Sequence, residues 1–264
     1  MIDFDCHAHI YERVRAVTGT RYVPTTPAPL TGWLAHHDRH GIKGGVIVQV
    51  SFLGTDNSEL CAALARLDRS RFAGVAVVAL DADEDTLEPL VRAGVRGLRW
   101  NLIRGQDIPD LKSPVTQGFF AKMRRYGLHL EIHLEGARLA PVLPALTDQG
   151  VGVVIDHFGL PTEPDARRDP MIAATRALSD PSPLYFKFSA QYRIPFDVHD
   201  HAEALLSNLG PGHIVWGSDW PHTQHETMTG FADVYALSKG WRLSCDNTAV
   251  ADLYGLAPTP AFPA

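Results

Sequence analysis

The stretch DFDCHAHI, residues 3–10, places His7 and His9 one residue apart at the end of an apolar run. In a strand, side chains at i and i+2 share a face, so the two imidazoles would stand side by side. A packed core would have to find a polar partner for each ring. A site that needs neutral nitrogen donors would use both. The same stretch separates two folds, because a dinucleotide-binding sheet turns after its first strand through GxGxxG, and here the turn reads CHAH.

Working outward, apolar runs recur at 45–49, 74–79, 95–100, 128–133, 151–156, 184–188 and 214–217, after the first at 2–9. GGVIVQV (44–50) and VGVVIDH (151–157) are continuous rather than alternating, as strands covered on both faces are. The segments between them read as helices. Residues 57–68 open on cap-forming Asn57 and Ser58 and keep Leu60, Leu64 and Leu67 on one stripe. Residues 115–126 carry their basic residues late and stop at Gly127. AGV (93–95), YGL (126–128) and QGV (149–151) repeat one punctuation: helix end, glycine, strand.

Eight strand–helix units in 264 residues predict a (β/α)8 TIM barrel, for which ~250 residues is typical. The expected domain is 1–256, followed by a tail at 257–264. Residues 17–30 and 158–170 are too rich in proline and polar residues for regular structure and read as long loops.

A net charge of −6 argues against nucleic acid as a partner. Cys6, Cys61 and Cys245 are too few for a disulfide framework. No apolar run is long enough for a bilayer, and no basic-then-apolar leader opens the chain. A soluble cytoplasmic protein is expected.

In such a barrel the chemistry sits at the C-terminal ends of the strands. Those ends carry His7, His9, Ser51, Arg99, Asn101, His133, His157, Ser189, Tyr192, Arg193, Asp219 and His222. Singly, His133 and His157 read as core histidines bonded to backbone carbonyls, and Asp219 as a helix cap. His36, His37 and His40 lie in a helical stretch and read as surface residues, and His199, His201, His213 and His225 have no strand-end context. Together, several imidazoles and one carboxylate at a barrel mouth suit Zn or another borderline divalent cation with a position left for water. Asp219 would take that water's proton and deliver it to the leaving group.

DCHAH (5–9), GLRWN (97–101), VVIDHFG (153–159) and WGSDWPH (216–222), in that order, resemble the amidohydrolase superfamily. RY (21–22), GTDNSEL (54–60) and KFSAQYR (187–193) narrow the resemblance to its 2-pyrone-4,6-dicarboxylate lactonase-like branch. It implies a TIM barrel that hydrolyses the ester bond of a small anionic lactone. By resemblance, His7, His9, His157 and Asp219 are the catalytic set, with Asp219 as general base. Arg99, Arg104 and Arg193 fall where substrate carboxylates are held, which suits a planar, permanently charged fork. Ser51, Tyr22, Tyr192 and Asn101 are supporting donors.

The wider superfamily implies one divalent ion, Zn first, on His7, His9, His133 and Asp219, with His157 a further ligand or a carbonyl polariser. Metal-free catalysis is the alternative, because branch members that work that way carry tyrosine where this chain has His133. The lack of a carboxylatable lysine at a strand end argues against a second ion. Rival readings are lactone isomerisation, non-oxidative decarboxylation of an aromatic or muconate acid, and a non-catalytic metal- or ligand-binding barrel. The oligomeric state stays open, a homo-oligomer included.

Overall fold

The computed structural model describes residues 2–20, 22–241 and 247–257, so the tail expected at 257–264 and Cys245 lie almost wholly outside the described residues. Eight strands follow one another as β1 (Phe4–Ala8), β2 (Gly44–Val48), β3 (Phe72–Ala76), β4 (Val95–Asn101), β5 (His129–His133), β6 (Val153–Ile155), β7 (Leu184–Ser189) and β8 (Ile214–Gly217). They pair in chain order as a parallel sheet. Around them lie α1 (Leu30–His40), α2 (Ser58–Leu64), α3 (Glu84–Ala93), α4 (Pro114–Tyr126), α5 (Gly136–Leu139), α6 (Leu143–Thr147), α7 (Pro170–Ala177), α8 (His199–Leu209), α9 (Phe231–Ser238) and α10 (Thr248–Tyr254). This is the (β/α)8 TIM barrel that the apolar runs predict.

The sheet closes on itself where β1 meets the chain leaving β8. The Asp219 backbone N–H donates to the His7 carbonyl at 2.7 Å, and the His9 N–H donates to the Trp220 carbonyl at 2.7 Å. Asp5 reinforces the seam from outside. Its carboxylate accepts from the Ser218 backbone N–H at 2.8 Å, the Ser218 hydroxyl at 2.6 Å and the Trp33 indole of α1 at 2.8 Å.

The apolar runs are continuous because each strand is buried twice. Inward, Cys6, Val46, Val75, Val154 and Val215 pack with Val250, Leu253 and Tyr254 of α10, which closes the N-terminal end of the barrel. Outward, Ile47, Leu98, Leu130, Ile155 and Phe186 pack against the helices. Among the described residues no helix is long and apolar enough to cross a membrane.

Three local readings change. The helix expected over 57–68 ends at Leu64, where the turn tightens to i→i+3 bonds from Arg66 to Ala63 and from Leu67 to Leu64. Asn57 is not its side-chain cap; its amide donates to the Thr55 and Val77 carbonyls instead. His37 is no surface residue. It is buried under α1, stacked near Phe72, with its ring 3.8 Å from Asp5.

Closure leaves no room at Gly217, where a Cβ would lie 2.5 Å from the His7 Cβ and 3.0 Å from its backbone nitrogen. Gly217→Ala should therefore part β8 from β1, at a cost of about 1–3 kcal/mol in denaturant unfolding. Wild-type stability for this variant would show that the seam yields freely.

Candidate active site

The predicted residues converge. One pocket at the C-terminal mouth of the barrel is lined by Tyr22, Ser51, Arg99, Asn101, Arg104, His133, His157, Arg193, Asp219 and His9, together with Val50, Ile103, Thr223 and Gln224. His7 sits just beneath it, and Tyr192 stands behind Asp219.

Each side chain is placed by the end of its strand. The His7 and His9 rings are 5.0 Å apart between centroids, as i, i+2 neighbours on one face should be. His157 lies 4.9 Å from His7 and 4.7 Å from His133, which ends β5. Just past strands β6 and β8 the chain turns sharply, with positive φ at His157, Phe158, Asp219 and His222, none of them glycine. Such backbone costs energy and persists where the surroundings enforce it.

Asp219 is the centre of the arrangement. Its Oδ2 accepts from the Tyr192 hydroxyl at 2.5 Å and the Arg193 Nε at 2.8 Å. Its Oδ1 has no hydrogen-bond partner and faces His7 Nε2 at 3.6 Å and His9 Nε2 at 3.5 Å. Burial alone would raise this carboxyl; the Arg193 guanidinium and the surrounding rings hold it well below the usual carboxylate range. Burial and the adjacent Asp219 charge push the Tyr192 phenol well above its ordinary value, so it stays a donor.

Three of the imidazoles are kept neutral. Burial, then the Lys187 ammonium, pushes His7 down to about 4. His133 is pushed well below its ordinary value by burial and by the neighbouring His157 and Arg99 charge, and His157 by burial above all. His9 donates from Nδ1 to the Val48 carbonyl at 2.8 Å, and its Nε2 faces Asp219. His157 Nδ1 is hydrogen-bonded to the Ser189 hydroxyl at 2.8 Å rather than to a backbone carbonyl. At His7 Nδ1, Asp156 Oδ1 lies at 3.3 Å and Lys187 Nζ at 3.1 Å, one an acceptor and the other a donor, so either neutral tautomer has a partner.

This donor set fits a cation. Ligand atoms of His7, His157 and Asp219 all lie within 4.8 Å of one another, and His7 Nε2 and Asp219 Oδ1 are buried without partners. Neutral imidazoles with a carboxylate oxygen are the chemistry that Zn prefers. His133 falls outside that trio and groups with Asp156 and His157. Its Nδ1 accepts from Arg99 at 3.2 Å.

The arginines divide. Arg99 is buried and donates twice to Asp156, at 3.0 and 2.9 Å, and Arg193 is tied to Asp219. Arg104 is exposed at the rim, where it donates to the Gln224 side chain at 3.0 Å. Sequence reasoning missed Asp156, Glu131 and Lys187, which stand inside the barrel below the mouth, all fully buried. Lys187 lies within β7, two residues before its end, and is ion-paired with Glu131 at 2.7 Å, so it is not a lysine at a strand end. A signal existed: LEIH, VVID and YFKF each set one Asp, Glu or Lys in a mostly apolar strand.

The family model described as Amidohydrolase matches residues 4–263. The chain belongs to the amidohydrolase family. Over 227 residues it is 27% identical to a 4-sulfomuconolactone hydrolase of Rhizobium radiobacter, covering 83% of this chain and 76% of that protein. Two solved amidohydrolase-like structures share the fold throughout. One is a probable 2-pyrone-4,6-dicarboxylic acid hydrolase of Acinetobacter baumannii with citric acid bound, at TM-score 0.88 and 29% identity, covering 97% of this chain and 100% of that one. The other, a putative hydrolase of the same name from Pseudomonas putida, has TM-score 0.82 and 33% identity, covering 96% and 97%.

The neutral rings make stability depend on pH. The unfolded chain protonates its histidines near 6.5, whereas folded His7 does so near 4. Between those values unfolding takes up protons, so stability rises with pH. The rise should be about 1.4 kcal/mol per pH unit for His7 alone, with His133 and His157 adding in the same direction. Denaturant midpoints measured from pH 4 to 6.5 check this; a flat profile would mean the folded rings accept protons freely.

Proposed function

We propose that this amidohydrolase opens the ring ester of a small anionic lactone with water activated at Asp219. The observation that carries the reading is the divided carboxylate of Asp219. Arg193 and Tyr192 hold one oxygen, and the other is left unpaired among imidazoles at the pocket in the barrel mouth. A carboxylate kept ionised and aimed into a pocket can accept a proton at neutral pH. The lactone hydrolases among its relatives support the same reaction class.

In this reading water attacks the ester carbonyl carbon while Asp219 Oδ1 takes its proton. The ring carbon–oxygen bond then breaks, and Asp219 returns the proton to the leaving oxygen. His7, His9 and His157 with Asp219 would hold one divalent ion, Zn first. When bound, such an ion polarises a carbonyl and lowers the pKa of a water molecule. Arg104 receives a substrate carboxylate at the rim. Arg99 and Arg193 add their remaining N–H groups while keeping Asp156 and Asp219 in place. Ser51, Asn101, Tyr22 and His133 orient the ring. The free thiols of Cys6 and Cys61 accord with a cytoplasmic enzyme.

A panel of carboxylated lactones, followed by the acid each turnover releases, tests the reaction. Turnover in wild type and a loss of about 10²–10⁴-fold in Asp219→Asn, with an unchanged melting profile, are expected. No acid release with Zn supplied and with chelator present, or carbon dioxide release instead, overturns the reading. Elemental analysis of protein purified without chelator should find about one Zn per chain; a metal-free protein with full activity removes the ion from the scheme.

A further inference from the structure

Below the mouth, and sharing His7 with the site above it, the barrel buries a second cluster. Ligand atoms of His7, Glu131 and Asp156 all lie within 4.8 Å of one another, a spacing that suits a bound cation. That space already contains one. Lys187 reaches in from β7, fully buried, with its Nζ 2.7 Å from Glu131 Oε1, 3.1 Å from His7 Nδ1 and 3.6 Å from Asp156 Oδ1. The surroundings are built to receive it. Glu131 Oε1 also accepts from the Tyr254 hydroxyl at 3.0 Å and lies 3.4 Å from His129 Nε2, while Asp156 Oδ2 is taken by Arg99. Asp156 Oδ1 has nothing nearer than His7 Nδ1 at 3.3 Å and Lys187 Nζ at 3.6 Å to answer it, and Glu131 Oε2 has no hydrogen-bond partner.

We infer that Lys187 is the built-in cation of this second site: its ammonium stands where a metal ion would otherwise bind, holds His7 and Asp156 from below, and limits the centre to a single exchangeable ion at the mouth. An immobile ammonium has one charge and needs no uptake from solution. It supplies the counter-charge that two buried carboxylates require, since such groups are unstable in a low dielectric without a partner. Lys187 is thus a positioning residue. It touches the back of His7, whose other nitrogen faces Asp219. The inference needs no substrate and stands whether or not lactones are turned over.

The test replaces the ammonium and asks whether a metal takes its place. Lys187→Ala removes the charge and opens the space; Lys187→Met removes the charge and fills it. Mn²⁺ is the probe, because mixed carboxylate and imidazole ligands suit it and its free form is read by electron paramagnetic resonance. Lys187→Ala should bind one equivalent more than wild type, and its melting temperature should rise with Mn²⁺. The extra equivalent should vanish in Lys187→Ala/Glu131→Gln and be absent from Lys187→Met. Should Lys187→Ala fail to fold, its refolding yield with Mn²⁺ and with chelator is compared, and a yield raised by Mn²⁺ supports the inference. No extra equivalent, an equal response in Lys187→Met, or a refolding yield indifferent to Mn²⁺ overturns it.

Discussion

Two backbone hydrogen bonds, from Asp219 to His7 and from His9 to Trp220, close the barrel, and His7, His9 and Asp219 among these residues stand at the pocket in its mouth. The barrel can close only if β1 and the chain after β8 come into register. That register sets the carboxylate of Asp219 against the two imidazoles of β1. Architecture and chemistry therefore share one constraint. The Asp5 carboxylate, which clasps Ser218 and Trp33 from the outer side, keeps the seam shut from a position that no substrate reaches.

Below that seam the barrel interior is charged, which a close-packed core tolerates only when every charge has an opposite. The pairs run upward from Glu131 with Lys187, through Asp156 with Arg99, to Asp219 with Arg193 at the mouth. Losing one member of such a pair costs about 3–5 kcal/mol, because the survivor is left buried and uncompensated. The net effect on the site is electrostatic. Cations hold the carboxylates ionised, and burial holds the histidines neutral. Ionised carboxylates beside neutral imidazoles suit both metal binding and proton transfer.

Much of this was legible in the chain. Continuous apolar strands, glycine after several of the helices and chemistry at strand ends are short-range patterns. They led to the barrel and to His7, His9, His133, His157 and Asp219 around one pocket. What stayed hidden was pairing across the interior. Arg99 and Arg193 read as substrate ligands, yet each already grips an internal carboxylate. Lys187 and Glu131, 56 positions apart in the chain, meet only because β5 and β7, one strand apart in the sheet, both turn these side chains into the barrel interior. His37 read as a surface residue because its helix shows no sign of which side will turn toward Asp5.

The sequence by itself determined which residues could ionise, which runs would be buried on both faces and where the chain would turn, because those properties reside in side chains and their immediate neighbours. Only the tertiary structure decided which charge answers which. It put Tyr192 and Arg193 on one oxygen of Asp219, left the other bare toward the histidines, and set a lysine ammonium behind His7. The physical reason is that protonation and pairing depend on distances of a few ångströms between residues far apart in the chain, and ring closure alone sets those distances.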